Sequence, residues 1–326
     1  MTAAQKEGRA VADLDRVLVL AGGLSPEHEV SVQSGRGVAE ALRRLDIEVQ
    51  VADVDSDLLR RLTDDPPQVV FPVLHGSAGE DGVIREVLEL AGVPYVGARP
   101  DACRLAYTKP AAKALLADRG VRVPRGATLP KSVFHDLGAP ALLDKLIERL
   151  GMPLFVKPDR GGSAFGATPV ASPGELSTAL VSCFAYGDSA LVEEQVQGTE
   201  LAVSVLDTGD GPVALPAVEI VPDGGVYDYA ARYTAGRTEF FCPARLDAET
   251  IEAASEVALT AHRALGLRDL SRTDLIVDPD GEIVFLETNV APGLTPTSTF
   301  PMAAAAAGRD FGLLCRELAH QAHLRG

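Results

Sequence analysis

The chain of 326 residues has no tryptophan, and aromatic residues make up only 5% of it. Base stacking on aromatic platforms therefore has little to work with. Basic residues are also in deficit, since 30 Lys and Arg face 46 Asp and Glu for a net charge of −16. General nucleic-acid binding needs basic surface to displace counterions, so no nucleic-acid partner is expected. An acidic chain binds a polyanion only where local lysines, backbone amides and metal ions reverse the field. The cysteines number four, Cys103, Cys183, Cys242 and Cys315, with no CxxC pair. Buried free thiols are expected rather than a disulfide framework or a metal knot. No apolar run approaches the ~20 residues that cross a bilayer. The longest, "MAAAAAG" at 302–308, reads as a packed helix. Residues 1–15 lack an apolar signal core and read as a loose leader, so the expected location is cytoplasmic, with no membrane partner.

What is present alternates. "RVLVLAGG" (16–23) is an apolar run closed by glycines, the pattern of a parallel strand buried on both faces. A helix is expected from about Val30 to Leu45. "IEVQVADV", "VVFPVL" and "PYVGA" read as strands, with the helix "DGVIREVLELAG" between the last two. This is an α/β layer with a parallel sheet, ending near Pro100. Helices follow at 109–120 and 142–151, and strands at "PLFVKPD", near "ATPVA" and at "ALVEEQV". Beyond Gly198, "ELAVSVLD" and "PVALPAVEIV" read as antiparallel. Helices at 248–266 and 309–325 complete the chain.

"RTDLIVDPDGEIVFLETN" (272–289) reads as a hairpin about the turn Asp278-Pro279-Asp280-Gly281. Pairing Asp278 with Gly281 places Asp274 opposite Phe285. Alternation then puts Asp274, Glu287 and Asn289 on one face. Three oxygen donors with no basic residue at their centre suit a hard Mg²⁺ ion. A one-residue slip would turn Asp274 away, and a solvated acidic face is the plain alternative. Lys157, at the end of an apolar strand, would be costly unpaired. Lys109, taken alone, reads as a snorkelling surface side chain. "RGGSAFG" (160–166) lets backbone amides approach phosphate oxygens, with the Ser163 hydroxyl beside them, or is only a turn. It matches neither the P-loop nor the GxGxxG pattern. "VEEQVQGTE" (192–200) is either an adenine and ribose contact or a solvated connection.

Six segments together resemble the ATP-grasp fold and, within it, the D-alanine–D-alanine ligases. They are "AGGLSPEHEVSVQSG" (21–35), "FPVLHGSAGEDG" (71–82), "LELAGVPYVGA" (88–98), "FVKPDRGGSAFG" (155–166), "YDYAARYTAGRTEFFCPA" (227–244) and "FLETNVAPGLTPTS" (285–298). The resemblance implies a Rossmann-like substrate-binding domain at 16–100, then two ATP-grasp subdomains, 101–196 and 197–326, enclosing the nucleotide. It implies ATP-dependent joining of two D-alanines through an acyl phosphate for peptidoglycan synthesis, with two Mg²⁺ (or Mn²⁺) ions and a homodimer.

Site residues follow by resemblance. Asp274, Glu287 and Asn289 hold metal. Lys109, Lys157, Ser163, Glu193, Val196, Glu200 and Arg232 bind ATP, with Glu200 on the ribose. Glu27 fixes the first substrate's ammonium and His75 lies near it. Arg272 and the Gly293 amide stabilise the oxyanion. Ser298 anchors the second substrate's carboxylate, with Thr299 beside its side chain. Tyr233 belongs to a lid linked to Ser163 and Glu27, and as a tyrosine favours amide over ester formation. Departures from the family pattern are Arg232 for lysine, Ala164 for serine, Val290 for threonine, Thr108 for aspartate, Glu194 for lysine and Thr299 for an apolar residue. These leave open a paralogue that joins another D-amino acid or amine. A silent ATP-binding protein is a third reading, opposed by retention of the metal and phosphate residues.

Overall fold

The computed structural model describes residues 14–225, 227, 231–232, 234 and 236–326. Strand β1 (Arg16–Leu20) lies at the centre of a parallel sheet between β2 (Glu48–Ala52) and β3 (Val69–Pro72). Its Val17, Val19 and Leu20 are fully buried, as a strand covered on both faces requires. The helix His28–Arg43 packs on this sheet. "PYVGA" does not form a full strand and contributes only a parallel bridge from Tyr95 to Val70.

The second sheet is antiparallel, in the order β4 (Gly126–Pro130), β7 (Ser189–Glu194), β5 (Leu154–Pro158), β6 (Thr168–Val170). β4 escapes a reading by pattern because Pro124 stands just before its five residues and Pro130 ends them. At the edge of the sheet a proline costs no ladder hydrogen bond. The third sheet has six strands. Its path is β11 (Thr238–Phe241), β10 (Val218–Pro222), β8 (Thr199–Leu206), β12 (Leu270–Val277) and β13 (Ile283–Asn289), with β9 (Val213–Ala214) paired to β8. Helix Ala248–Ala264 starts at Asp247, whose side chain accepts from the Thr250 amide, and covers β8, β12 and β13.

Helices Pro100–Tyr107 and Lys109–Ala117 pack into the same core, through Cys103, Ala106, Ala112 and Leu116. The Lys109 helix therefore stands at the end of the β12–β13 hairpin, close to where the second and third sheets face each other. Cys103, Cys183 and Cys315 are buried free thiols, while Cys242 is only half-buried. No helix among the described residues is long and apolar enough to cross a membrane.

Candidate active site

The hairpin carries the centre of the site, in a register different from the expected one. The Gly281 amide donates to the Asp278 carbonyl at 2.9 Å, as the turn requires, but the ladder closes from Asp278 to Glu282. Leu275, not Asp274, therefore stands opposite Phe285. Continued alternation would leave Glu287 on the face of Phe285, which is fully buried in the core. The register shifts between Asp274 and Leu275, leaving Leu286 as the extra residue. Asp274 then pairs with Glu287, and Arg272 with Asn289. Such a bulge turns two consecutive side chains toward one side. Leu286 and Glu287 accordingly line the same cavity, with Ile276 and Asp274 beside them. The acid pair faces one way because of an irregularity, not because of alternation.

That cavity, of about 160 Å³, lies between the second and third sheets. Phe155, Ile276 and Leu286 supply apolar walls, and Glu193 of β7, Val196 of the connection and Glu200 of β8 line it as well. It joins a larger chamber of about 580 Å³, lined by His75, Ser163, Arg272, Asn289, Gly293, Ser298 and Thr299. Lys109, Gly161, Gly162, Arg232, Asp274 and Glu287 line both spaces. The cations and acids thus stand at a junction between an apolar slot and a polar chamber.

Basic groups do occupy this centre, contrary to the expectation from spacing. Arg272 holds both oxygens of Asp274, at 2.6 and 2.8 Å. Lys109 is buried rather than snorkelling, donates to the Gly161 carbonyl at 2.6 Å and lies 3.3 Å from Glu287. Burial would raise the Glu287 carboxyl, but Lys109, Lys157, Arg232 and Arg272 outweigh it and hold it at about 2. Asn289 Oδ1 accepts from the Ala291 amide at 2.7 Å and has a second lone pair to offer. Two carboxylates and an amide oxygen make a donor set suited to a hard divalent cation. Among the described residues no group of three His, Cys, Asp or Glu could hold a metal. A cation here needs Asn289 and oxygens from a ligand as well.

The remaining residues divide. His75 is buried, its Nδ1 lies 2.9 Å from the Ala291 carbonyl, and burial lowers its pKa to about 4. Its Nε2 is buried and finds no hydrogen-bond partner among the described residues, so the neutral ring keeps an unused acceptor. Ser298 Oγ lies 2.8 Å from Thr295 Oγ1, and a Cβ on Gly293 would come within 2.6 Å of it. A side chain there would displace the Ser298 hydroxyl. Burial raises Glu200 to about 7. The guanidinium of Arg232 stacks 4.2 Å from the Tyr227 ring. Tyr233 lies outside the described residues.

Glu27 is not in the chamber. It opens onto a third cavity of about 710 Å³ behind Gly161 and Gly162. A Cβ on Gly162 would stand 3.3 Å from its Oε1, so the glycine loop lies directly against it. Ser163 and Ala164 in that loop both have positive φ, +53° and +56°, which is strained backbone for residues with a Cβ. Of the residues at atypical positions, Glu194 bonds Arg125 at 2.7 Å and Val290 is buried in the core.

Two buried groups were not read from sequence. Glu80 accepts from the Gly76 amide at 2.8 Å and is raised to about 7, first by burial. Lys113 is buried against Glu193, which also meets Lys157 at 3.0 Å. The signal for Lys113 was its place four residues after Lys109, one helical turn along the same face.

Comparison with known proteins agrees along the length of the chain. The family model described as D-ala D-ala ligase C-terminus matches residues 115–320, and the N-terminus model matches residues 58–98. A D-alanine–D-alanine ligase of Oleidesulfovibrio alaskensis is 41% identical over 94% of this chain and 97% of its own. That of Bordetella petrii is 38% identical over 95% and 92%. Among solved structures, the VanG D-Ala:D-Ser ligase from Enterococcus faecalis superposes with a TM-score of 0.81 at 29% identity, covering 95% of this chain and all of its own. The D-alanine–D-alanine ligase of Bacillus anthracis gives 0.80 at 29% identity, covering 95% and 98%.

Proposed function

This chain belongs to the D-alanine–D-alanine ligase family, and from that premise we propose that it joins two D-alanines at the expense of ATP. The product, D-alanyl-D-alanine, would serve peptidoglycan synthesis. The observation that carries this reading is the junction itself, where Asp274, Glu287, Lys109 and the glycine loop line both cavities at once. A phosphoryl group passing from nucleotide to amino acid has to lie at such a place.

In the first step a carboxylate oxygen of one D-alanine attacks the γ-phosphorus, and ADP leaves. In the second, the amine of another D-alanine attacks the acyl carbon, loses a proton, and phosphate departs. Both steps concentrate negative charge, so positioning and electrostatic stabilisation carry the catalysis. The adenine fits between Phe155, Ile276 and Leu286, with Val196 and the backbone of Glu193 at its edge and Glu200 on the ribose. Lys109, Lys157, Ser163 and Arg232 meet the phosphates. Asp274, Glu287 and Asn289 would hold the divalent ions, two of Mg²⁺ or Mn²⁺, which would neutralise phosphate charge.

Arg272 and the Gly293 amide face the developing oxyanion. Ser298 orients the second carboxylate, and His75 lies beside the first substrate. Glu27 takes the first ammonium once the glycine loop shifts aside, and Tyr233 closes the lid against water, which would hydrolyse an acyl phosphate. We take 16–100, 101–196 and 197–326 as the working domains, in a cytoplasmic homodimer.

A second reading rests on Thr299, which is nearly buried, lines the chamber beside Ser298, and could admit a more polar second D-amino acid. Incubation with ATP, Mg²⁺ and panels of D-amino acids, with mass spectrometry of the products, separates the two. D-alanyl-D-alanine as the main product supports the first. A mixed dipeptide formed in preference supports the second, and no D-alanine-dependent ADP release refutes both.

A further inference from the structure

Three lysines and two glutamates cluster around the junction, all but Glu287 buried. Lys109 faces Glu287, and Glu193 lies between Lys113 and Lys157. The side chains of Lys113 and Glu193 are 6% and 3% exposed, so solvent screens this pair little. Glu193 is fixed from below, because it stands opposite Gly126 on β4 and a Cβ there would come within 2.9 Å of its Cγ. Three lysine side chains face two carboxylates, so basic groups are in surplus here. Lys109 and Lys157 line the nucleotide slot, whereas Lys113 does not. The surplus therefore reaches the cavity through a lysine other than Lys113.

We propose that Lys113 is a positioning residue which, by holding one oxygen of Glu193, keeps the ammonium of Lys157 available to a nucleotide phosphate. The inference rests on reading the slot as a nucleotide site. Without Lys113, Glu193 has Lys157 as its remaining cation, and the two close into a neutral pair that offers little to an anion. With Lys113 in place, Glu193 is shared and Lys157 retains net positive field toward the cavity.

The test is calorimetric titration of the full chain with ADP and, separately, adenosine, which shares the slot but carries no phosphate. Lys113→Met is expected to weaken ADP binding at least about tenfold, ~1.4 kcal/mol, and to leave adenosine binding as in the parent. Lys113→Met with Glu193→Gln should regain most of the ADP affinity, because a neutral amide no longer draws Lys157 away. Unchanged ADP affinity, equal weakening of ADP and adenosine, or no recovery in the double variant would each overturn the proposal. Should Lys113→Met not fold, Lys113→Gln goes through the same titrations with the same expectations. These titrations read binding without turnover, so they stand if the chain joins a different amino acid. A parent that binds neither compound would refute the nucleotide reading itself.

Discussion

Replacing Arg272 by methionine tests the ion pair at the heart of the site. The guanidinium holds both oxygens of Asp274, and among the described residues no other group bonds that carboxylate. The two side chains are 14% and 6% exposed, so little screening reduces the effect. Removing one partner of a buried pair costs on the order of 3–5 kcal/mol. Each kcal/mol moves Tm by about 2–4 °C in a domain of moderate size, so the loss should be roughly 6–20 °C. Added Mg²⁺ and ADP should then stabilise the variant more than the parent, since a cation would neutralise a carboxylate that has no arginine to give up. Because the chain has no tryptophan, the assay is scanning calorimetry or a dye-reported melt. A variant melting within about 1 °C of the parent, or a Mg–ADP increment below the parent's, would refute the reasoning.

Other perturbations follow from the same geometry. Glu287→Gln should lower kcat by at least about a hundredfold, the scale on which lost electrostatic stabilisation acts, while the melt stays cooperative; near-normal turnover would remove it from the metal site. Thr299→Leu should change the KM or preference for the second amino acid and leave the KM for ATP alone, and unchanged acceptor kinetics would count against its place there. Glu80, held by burial at about 7, stays protonated in the folded chain where the unfolded one ionises. Its contribution is full below about 4.5 and is lost as pH rises through about 7, so Glu80→Gln should gain about 2–3 kcal/mol over the parent between pH 5 and 8. Parallel stability curves would contradict that.

The α/β class and the central strand are legible because "RVLVL" has no polar face to offer water, and only a doubly covered parallel strand accepts that. The acid pair of the hairpin is legible too, but for a reason that alternation does not contain. Leu286 is one residue too many for a regular ladder, and local pattern cannot say where a strand will bulge. Lys113 and Glu80 were missed because each looks like an ordinary helix charge; only the packing of helix Lys109–Ala117 against β7 and of the 77–80 turn against Gly76 buries them. The place of Glu27 depends on the backbone path of residues 160–166, where Ser163 and Ala164 adopt conformations their side chains disfavour. Strain of that kind is imposed by tertiary contacts, so composition gives no sign of it.

Crystals grown with ADP and Mn²⁺ allow the metal to be located by anomalous scattering. The account predicts manganese bonded to oxygens of Asp274, Glu287 and Asn289 and to the nucleotide phosphates, with Arg272 drawn off Asp274. Manganese bound elsewhere, or ADP lying outside the slot between Phe155 and Leu286, would contradict it.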